Sequence, residues 1–153
     1  MRAKLSKPEK NLILSGHVFF IIFLFLTALL YRERVMVADC AFQVFHIIRT
    51  GSFAIYHNRF SPFISQLLPL AAVHAKLPLN VVLVIYSVSV PLMSYVFYGL
   101  AAHVLKDYRA AVAIALAACM VLTQGFYFAP FELNQAVSLL ILLFAFLQLH
   151  RNF

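Results

Sequence analysis

The sequence predicts an all-α integral membrane protein with about four transmembrane helices and two amphipathic surface helices in the first outer loop. Hydrophobic residues make up 64% of the chain and charged residues only 11%, whereas a soluble domain is about half apolar and about one quarter charged. A spanning helix needs about 20 apolar residues. The 153 residues therefore hold about four spans and one long loop, within a single membrane domain covering residues 1–153.

Span one is predicted at about residues 12–31, after a basic N-terminal segment. A cleaved signal peptide has the same opening, but this apolar run is longer, and Arg32, Glu33 and Arg34 follow it instead of a small-residue cleavage site. We therefore expect the segment to be retained. His17, inside this span, is expected to be neutral and turned towards another helix, because a charged imidazole facing lipid is costly.

Three further spans are predicted at about residues 81–105, 110–127 and 133–149. Pro91 predicts a kink in the second span, which neighbouring helices accommodate. The third span is rich in alanine, and this favours close contact between helices over exposure to lipid.

The distribution of Lys and Arg favours a cytoplasmic N-terminus and C-terminus. The inner side then holds Arg2, Lys4, Lys7, Lys10, Lys106, Arg109 and Arg151. The much longer outer loop holds Arg32, Arg34, Arg49, Arg59 and Lys76. In a membrane protein the net charge of +7 is read as a topology signal and as contact with membrane lipid. We therefore expect no nucleic-acid partner.

The outer loop, residues 32–80, is long enough to have structure of its own. Apolar residues recur at helical spacing through residues 37–48, and Asp39, Gln43, His46 and Thr50 lie on the opposite face, which predicts an amphipathic surface helix. Gly51 is expected to end this helix with a left-handed cap.

A second helix is indicated by Ser61 and Pro62, an N-cap followed by proline at the first helical position. The apolar pattern continues past Pro69. Residues 63–77 are too few to cross a bilayer comfortably, so a short re-entrant segment is the alternative to a surface helix.

Asp39 and Glu132 are the candidate catalytic residues. Both are predicted on the outer face, Asp39 at the start of the first surface helix and Glu132 just before span four. A carboxylate in such a place can act as a general base. The alternative for each is stabilisation of a helix N-terminus, by capping or by interaction with the helix dipole.

Four residues of the outer loop are candidates for substrate binding. His46 shares a helix face with Asp39, about 10 Å away by helical rise. Arg49, His57 and Arg59 can meet an anionic ligand, although attraction to lipid head groups is an equal alternative. Cys40 and Cys119 have no metal-ligand spacing, and no phosphate-binding loop or zinc-protease motif is present in the sequence.

The order of these segments resembles the N-terminal part of polytopic GT-C glycosyltransferases, in particular bacterial membrane mannosyl- and arabinosyltransferase-like proteins. The resemblance is carried by the run from Ala38 and Asp39 to Gln43, by Ile48-Arg49-Thr50-Gly51, and by the Pro/Leu-rich second helix followed by further spans.

The resemblance implies a glycosyltransferase in the bacterial inner membrane that uses a polyprenyl-phosphate sugar donor. Asp39 matches the first-loop catalytic aspartate, which deprotonates the acceptor hydroxyl or helps to hold a divalent metal ion. Glu132 matches the acidic residue of the second outer loop, and Arg49 and Arg59 become candidates for the donor phosphate.

The chain also departs from the family pattern. Cys40 stands where a second acid often follows the first, and family members carry more spans, so we expect an N-terminal fragment or a degenerate relative. The alternative function is a non-catalytic assembly subunit whose alanine-rich third span packs against a partner membrane subunit. A transporter fragment is disfavoured, because no predicted span carries an acid near its middle.

Overall fold

The computed structural model describes residues 7–55, 62–127 and 132–151. Every regular element in these ranges is a helix, which confirms the all-α prediction. The helices are α1 (Lys7–Leu29), α2 (Tyr31–Val35), α3 (Ala38–Thr50), α4 (Phe63–His74), α5 (Leu79–Gly99), α6 (Tyr108–Gly125) and α7 (Glu132–Arg151). The last turn of α5 widens into a π-helical turn, Leu100–Val104.

Helices α1, α5, α6 and α7 form a bundle. The Tyr98 hydroxyl donates to the Ile13 carbonyl at 2.6 Å, and the Ser87 hydroxyl donates to the Thr27 carbonyl at 2.8 Å, so α1 and α5 are antiparallel. The core between the helices is formed by Phe20, Phe97, Tyr98, Ala101, Ala102, Ala110, Ala111, Ile114, Ala118 and Ala145. Small residues predominate where α5 meets α6, and this allows the helix backbones to approach closely.

The two ends of the bundle differ. At the end where α1 begins, residues 105–107 join α5 to α6, and the Asp107 carboxylate caps α6 by accepting from the Arg109 and Ala110 backbone N–H groups at 3.0 and 3.1 Å. We call this the connection end. The opposite end, where α2, α3, Phe126 and Tyr127 lie, is the loop end.

In the part of the chain that the structure describes, two helical segments are long and apolar enough to cross a membrane, Glu9–Leu29 and Leu79–Val104. They correspond to predicted spans one and two. Within the described residues, α6 and α7 provide shorter apolar stretches, Tyr108–Met120 and Gln135–His150. Large apolar side chains such as Phe25 on α1 and Phe144 on α7 are exposed on the outside of the bundle.

Helix α3 forms where the sequence predicts it and ends at Gly51, whose φ of 60° is left-handed and whose N–H donates to the Ile47 carbonyl at 3.0 Å. The prediction that Gln43 lies on the water-facing side is wrong. Gln43 is buried where α3 packs on α5, and the Tyr86 hydroxyl donates to its Oε1 atom at 2.7 Å. Phe42 and Phe45 are exposed instead.

Helix α4 packs lengthwise on α5 and does not lie across the end of the bundle. A groove of about 460 Å³ between them is lined by apolar side chains that include Leu68 and Ala72 of α4 and Val84 and Leu92 of α5. Ser65 accepts a hydrogen bond from the Gln135 amide of α7 at 3.0 Å. The surface helix and the re-entrant segment both stay predictions for this part of the chain.

A buried glutamine fixes the start of α4 against the segment after α3. The Ala54 N–H donates to Gln66 Oε1 at 2.8 Å, and Gln66 Nε2 donates to the Ala54 carbonyl at 3.1 Å. We expect Gln66→Ala to lower the free energy of unfolding by about 1–3 kcal/mol, because two buried backbone groups lose their partners. Thermal unfolding in detergent measures this loss. Gln148→Ala, at an exposed position on α7, is the control and should unfold like the wild type.

Candidate functional site

A buried arginine organises the loop end. Helix α2 carries Arg34 into the bundle, where its side chain is 1% exposed. Its Nε atom donates to the Ser87 hydroxyl at 2.9 Å, Nη2 donates to the Ser87 carbonyl at 3.3 Å, and Nη1 donates to the Phe126 carbonyl. The guanidinium carbon also lies 4.9 Å from the centre of the Phe126 ring. Arg34 thus joins α2, α5 and the segment after α6.

The acceptors around Arg34 are neutral: a hydroxyl, two backbone carbonyls and an aromatic face. Burial lowers the pKa of Arg34 to about 10. The guanidinium therefore still carries its proton at neutral pH, and the loop end contains a buried positive charge.

Further hydrogen bonds extend from this arginine. The Ser87 hydroxyl accepts from Arg34 and itself donates a hydrogen bond to the Thr27 carbonyl at 2.8 Å. The Cys40 thiol lies 3.7 Å from the Tyr127 carbonyl. We call the whole group the loop-end cluster; it comprises Thr27, Arg34, Cys40, Gln43, Tyr86, Ser87, Phe126 and Tyr127. The cluster ties α1, α2, α3, α5 and the end of α6 together.

Asp39 lies in the first turn of α3 and is exposed. The N-cap position is occupied by Val37, so Asp39 is not the capping residue, although its charge still favours the positive end of the helix dipole. The contact of Cys40 with the Tyr127 carbonyl holds this turn against the residues that follow α6. Glu132 is the first residue of α7, and the described residues do not include its side chain.

The other predicted site residues are distributed unevenly. His46 is half-buried on α3, two turns after Asp39, and Arg49 is exposed in the last turn of the same helix. His57 and Arg59 lie outside the described residues. Within the described ranges, no three His, Cys, Asp or Glu side chains converge as a metal site. A metal ion at Asp39 therefore stays a prediction.

Sequence reasoning missed the loop-end cluster. In the sequence Arg34 reads as a charge flanking the first span, and Tyr86 and Ser87 lie inside an apolar run. The sequence contains a signal for this cluster. Arg34 follows Thr27 by seven residues and so shares its helix face. The predicted second span also contains several hydroxyl-bearing residues among its apolar ones. Together these features indicate a polar junction.

The described residues define a class of protein. It is helical, it has two segments long and apolar enough to cross a membrane, and a buried arginine joins its helices at one end. The chain matches no protein-family model, no curated protein and no solved structure.

Proposed function

We propose that the chain is a GT-C-like membrane glycosyltransferase, or the N-terminal part of one, which transfers a sugar from a polyprenyl-phosphate donor. One observation supports this function most. The Cys40 thiol, in the helix turn that carries Asp39, lies 3.7 Å from the carbonyl of Tyr127, which precedes Glu132 by five residues. This contact supports the proposal that Asp39 and Glu132, far apart in the sequence, act at the same end of the bundle.

In this proposal α1, α5, α6 and α7 are four spans, the N-terminus is cytoplasmic, and the loop end faces the outer side of a bacterial inner membrane. Helix α4 is then a re-entrant helix packed on the second span. The antiparallel order of α1 and α5 supports this arrangement, since it returns the chain to the connection end, where Lys106 and Arg109 lie.

The chemistry needs one base and one anion site. Asp39 accepts the proton of the acceptor hydroxyl, whose oxygen attacks the anomeric carbon of the donor. The bond between that carbon and the phosphate oxygen breaks, and polyprenyl phosphate leaves with the electron pair. Arg49, His57 and Arg59 bind the phosphate, Glu132 is the second catalytic acid, and His46 lines the substrate groove beside Asp39. A single exposed carboxylate at Asp39 also suits a hard divalent cation, which prefers oxygen ligands and would neutralise phosphate charge.

Asp39→Asn tests the base. We expect turnover of a lipid-linked sugar donor by the full-length protein to fall by about 100-fold or more, because a carboxamide cannot accept the proton. Glu33→Gln is the matched control, since Glu33 is an exposed acid on α2 at the same end. Equal turnover by wild type and Asp39→Asn would remove Asp39 from the mechanism.

The second candidate is a non-catalytic assembly subunit that binds a larger membrane protein. Three alanines of α6, Ala110, Ala111 and Ala118, are buried inside the bundle and so do not contact a partner. Leu116 and Met120 of α6 are exposed, Met120 to 80% of its surface, and they would contact the partner. Loss of a co-purifying stoichiometric subunit in Met120→Lys, with unchanged function of Asp39→Asn, would favour this candidate.

A further inference from the structure

A pair of histidines lies near the connection end, away from the loop-end cluster. His17 belongs to α1 and His103 to the π-helical turn after α5, and 86 positions separate them in the sequence. Their Nε2 atoms are 3.0 Å apart. The two ring planes are nearly parallel, at 18°, and the ring centroids are 5.1 Å apart, so the Nε2 edges of the rings face each other.

The other nitrogen of His17 is held by a tyrosine. His17 Nδ1 lies 3.0 Å from the Tyr95 hydroxyl, and the rings of Tyr95 and Tyr98 contact the imidazole edge to face. When Nδ1 carries the proton and donates it to Tyr95, Nε2 presents its lone pair towards His103. Histidines that ligate metals are characteristically held in this way through the nitrogen that does not bind.

We propose that His17 and His103 form a two-histidine site for a first-row divalent transition metal such as Zn²⁺ or Cu²⁺. Imidazole nitrogens suit these ions. Two nitrogens bound at about 2.0–2.1 Å to one ion lie about 3 Å apart when they are neighbouring ligands, which is close to the observed separation. The ion replaces the hydrogen bond between the two Nε2 atoms. The Nε2 proton of neutral His103 moves through solvent to the Nδ1 atom of the same ring, so both ligands are neutral imidazoles.

Two observations indicate a labile site and not a structural one. Two protein ligands leave positions for water or for a further donor, whereas structural zinc sites use four protein ligands. The His103 side chain is exposed, so an ion can enter from the connection end. The π-helical turn carries His103, and such turns are frequent at functional sites.

The test is titration of the purified full-length chain in detergent with Zn²⁺ against a chromophoric chelator. We expect one ion per chain, and His103→Ala should weaken binding by at least tenfold without unfolding the protein, because this side chain is exposed. His17→Gln should do the same, and Tyr95→Phe should weaken binding by about tenfold or more through loss of the positioning hydroxyl. Cu²⁺ should give an EPR spectrum split by two nitrogens.

Two controls exclude other ligands. His74→Ala removes an exposed histidine of α4, and Cys119→Ser removes an exposed thiol of α6. Neither should change the Zn²⁺ affinity. Absence of Zn²⁺ binding by the wild type, or equal affinity of wild type and His103→Ala, would show that the two rings only share a hydrogen bond and would overturn the proposal.

Discussion

Replacing Arg34 with alanine is expected to lower the free energy of unfolding by about 3–5 kcal/mol, since hydrogen bonds to a charged group are each worth more than neutral ones and a buried cavity is left. The substitution removes three donors and leaves the Ser87 and Phe126 carbonyls without them in a buried region. Denaturant or thermal unfolding of the purified protein in detergent measures the effect.

A neighbouring arginine provides the control. Arg32 is on the same short helix but is exposed, and its Nε atom donates only to the adjacent Tyr31 hydroxyl, at 3.0 Å. Arg32→Ala should unfold like the wild type. Arg34→Lys keeps the charge but lacks the planar set of donors, so its free energy of unfolding should lie between those of Arg34→Ala and Arg32→Ala. Equal stability of Arg34→Ala and Arg32→Ala would contradict the structural role of Arg34.

The second large effect is expected at Gly16, where α1 meets α5. A Cβ atom added there would overlap the Tyr98 hydroxyl and lie 2.6 Å from its Cζ atom. Tyr98 cannot move aside, because it is fully buried and its hydroxyl is bonded to the Ile13 carbonyl. We expect Gly16→Ala to lower the free energy of unfolding by about 2–3 kcal/mol, as overpacking forces the helices apart. The measurement is the thermal unfolding midpoint in detergent.

Gly99 offers the matched substitution. It lies in the last turn of α5, and an added Cβ would meet no atom within 4 Å. Gly99→Ala should therefore be neutral or slightly stabilising, because alanine is the better helix former by about 1 kcal/mol. If Gly16→Ala unfolds at the same temperature as Gly99→Ala, close packing of α1 on Tyr98 is not required for stability.

Local signals predicted much of the helical architecture. Apolar runs of helical length located α1, α5, α6 and α7, and the glycine at position 51 marked the end of α3 because left-handed backbone favours glycine. These features depend on residues close together in the chain. The sequence does not predict the short helix α2, because its charged residues are also typical of a segment that flanks a membrane span.

Long-range pairing explains what the sequence could not reveal. The periodicity of α3 assigns Gln43 to the polar face, and only the tertiary structure shows that it accepts a hydrogen bond from Tyr86 of α5. Likewise, His17 and His103 carry no spacing pattern, and only the antiparallel packing of α1 and α5 brings them together. Burial of Arg34 depends on acceptors from α5 and from the end of α6. Such partners are set by tertiary structure and not by local periodicity.

The proposal that Asp39 and Glu132 act together in one glycosyl-transfer site is tested most directly by the rates of Asp39→Asn, Glu132→Gln and the double variant with a lipid-linked sugar donor. We predict that each single variant loses most of its activity and that the double variant is little worse than the poorer single variant, because residues that act as a unit are not additive. Wild-type rates in both single variants would contradict the proposed site.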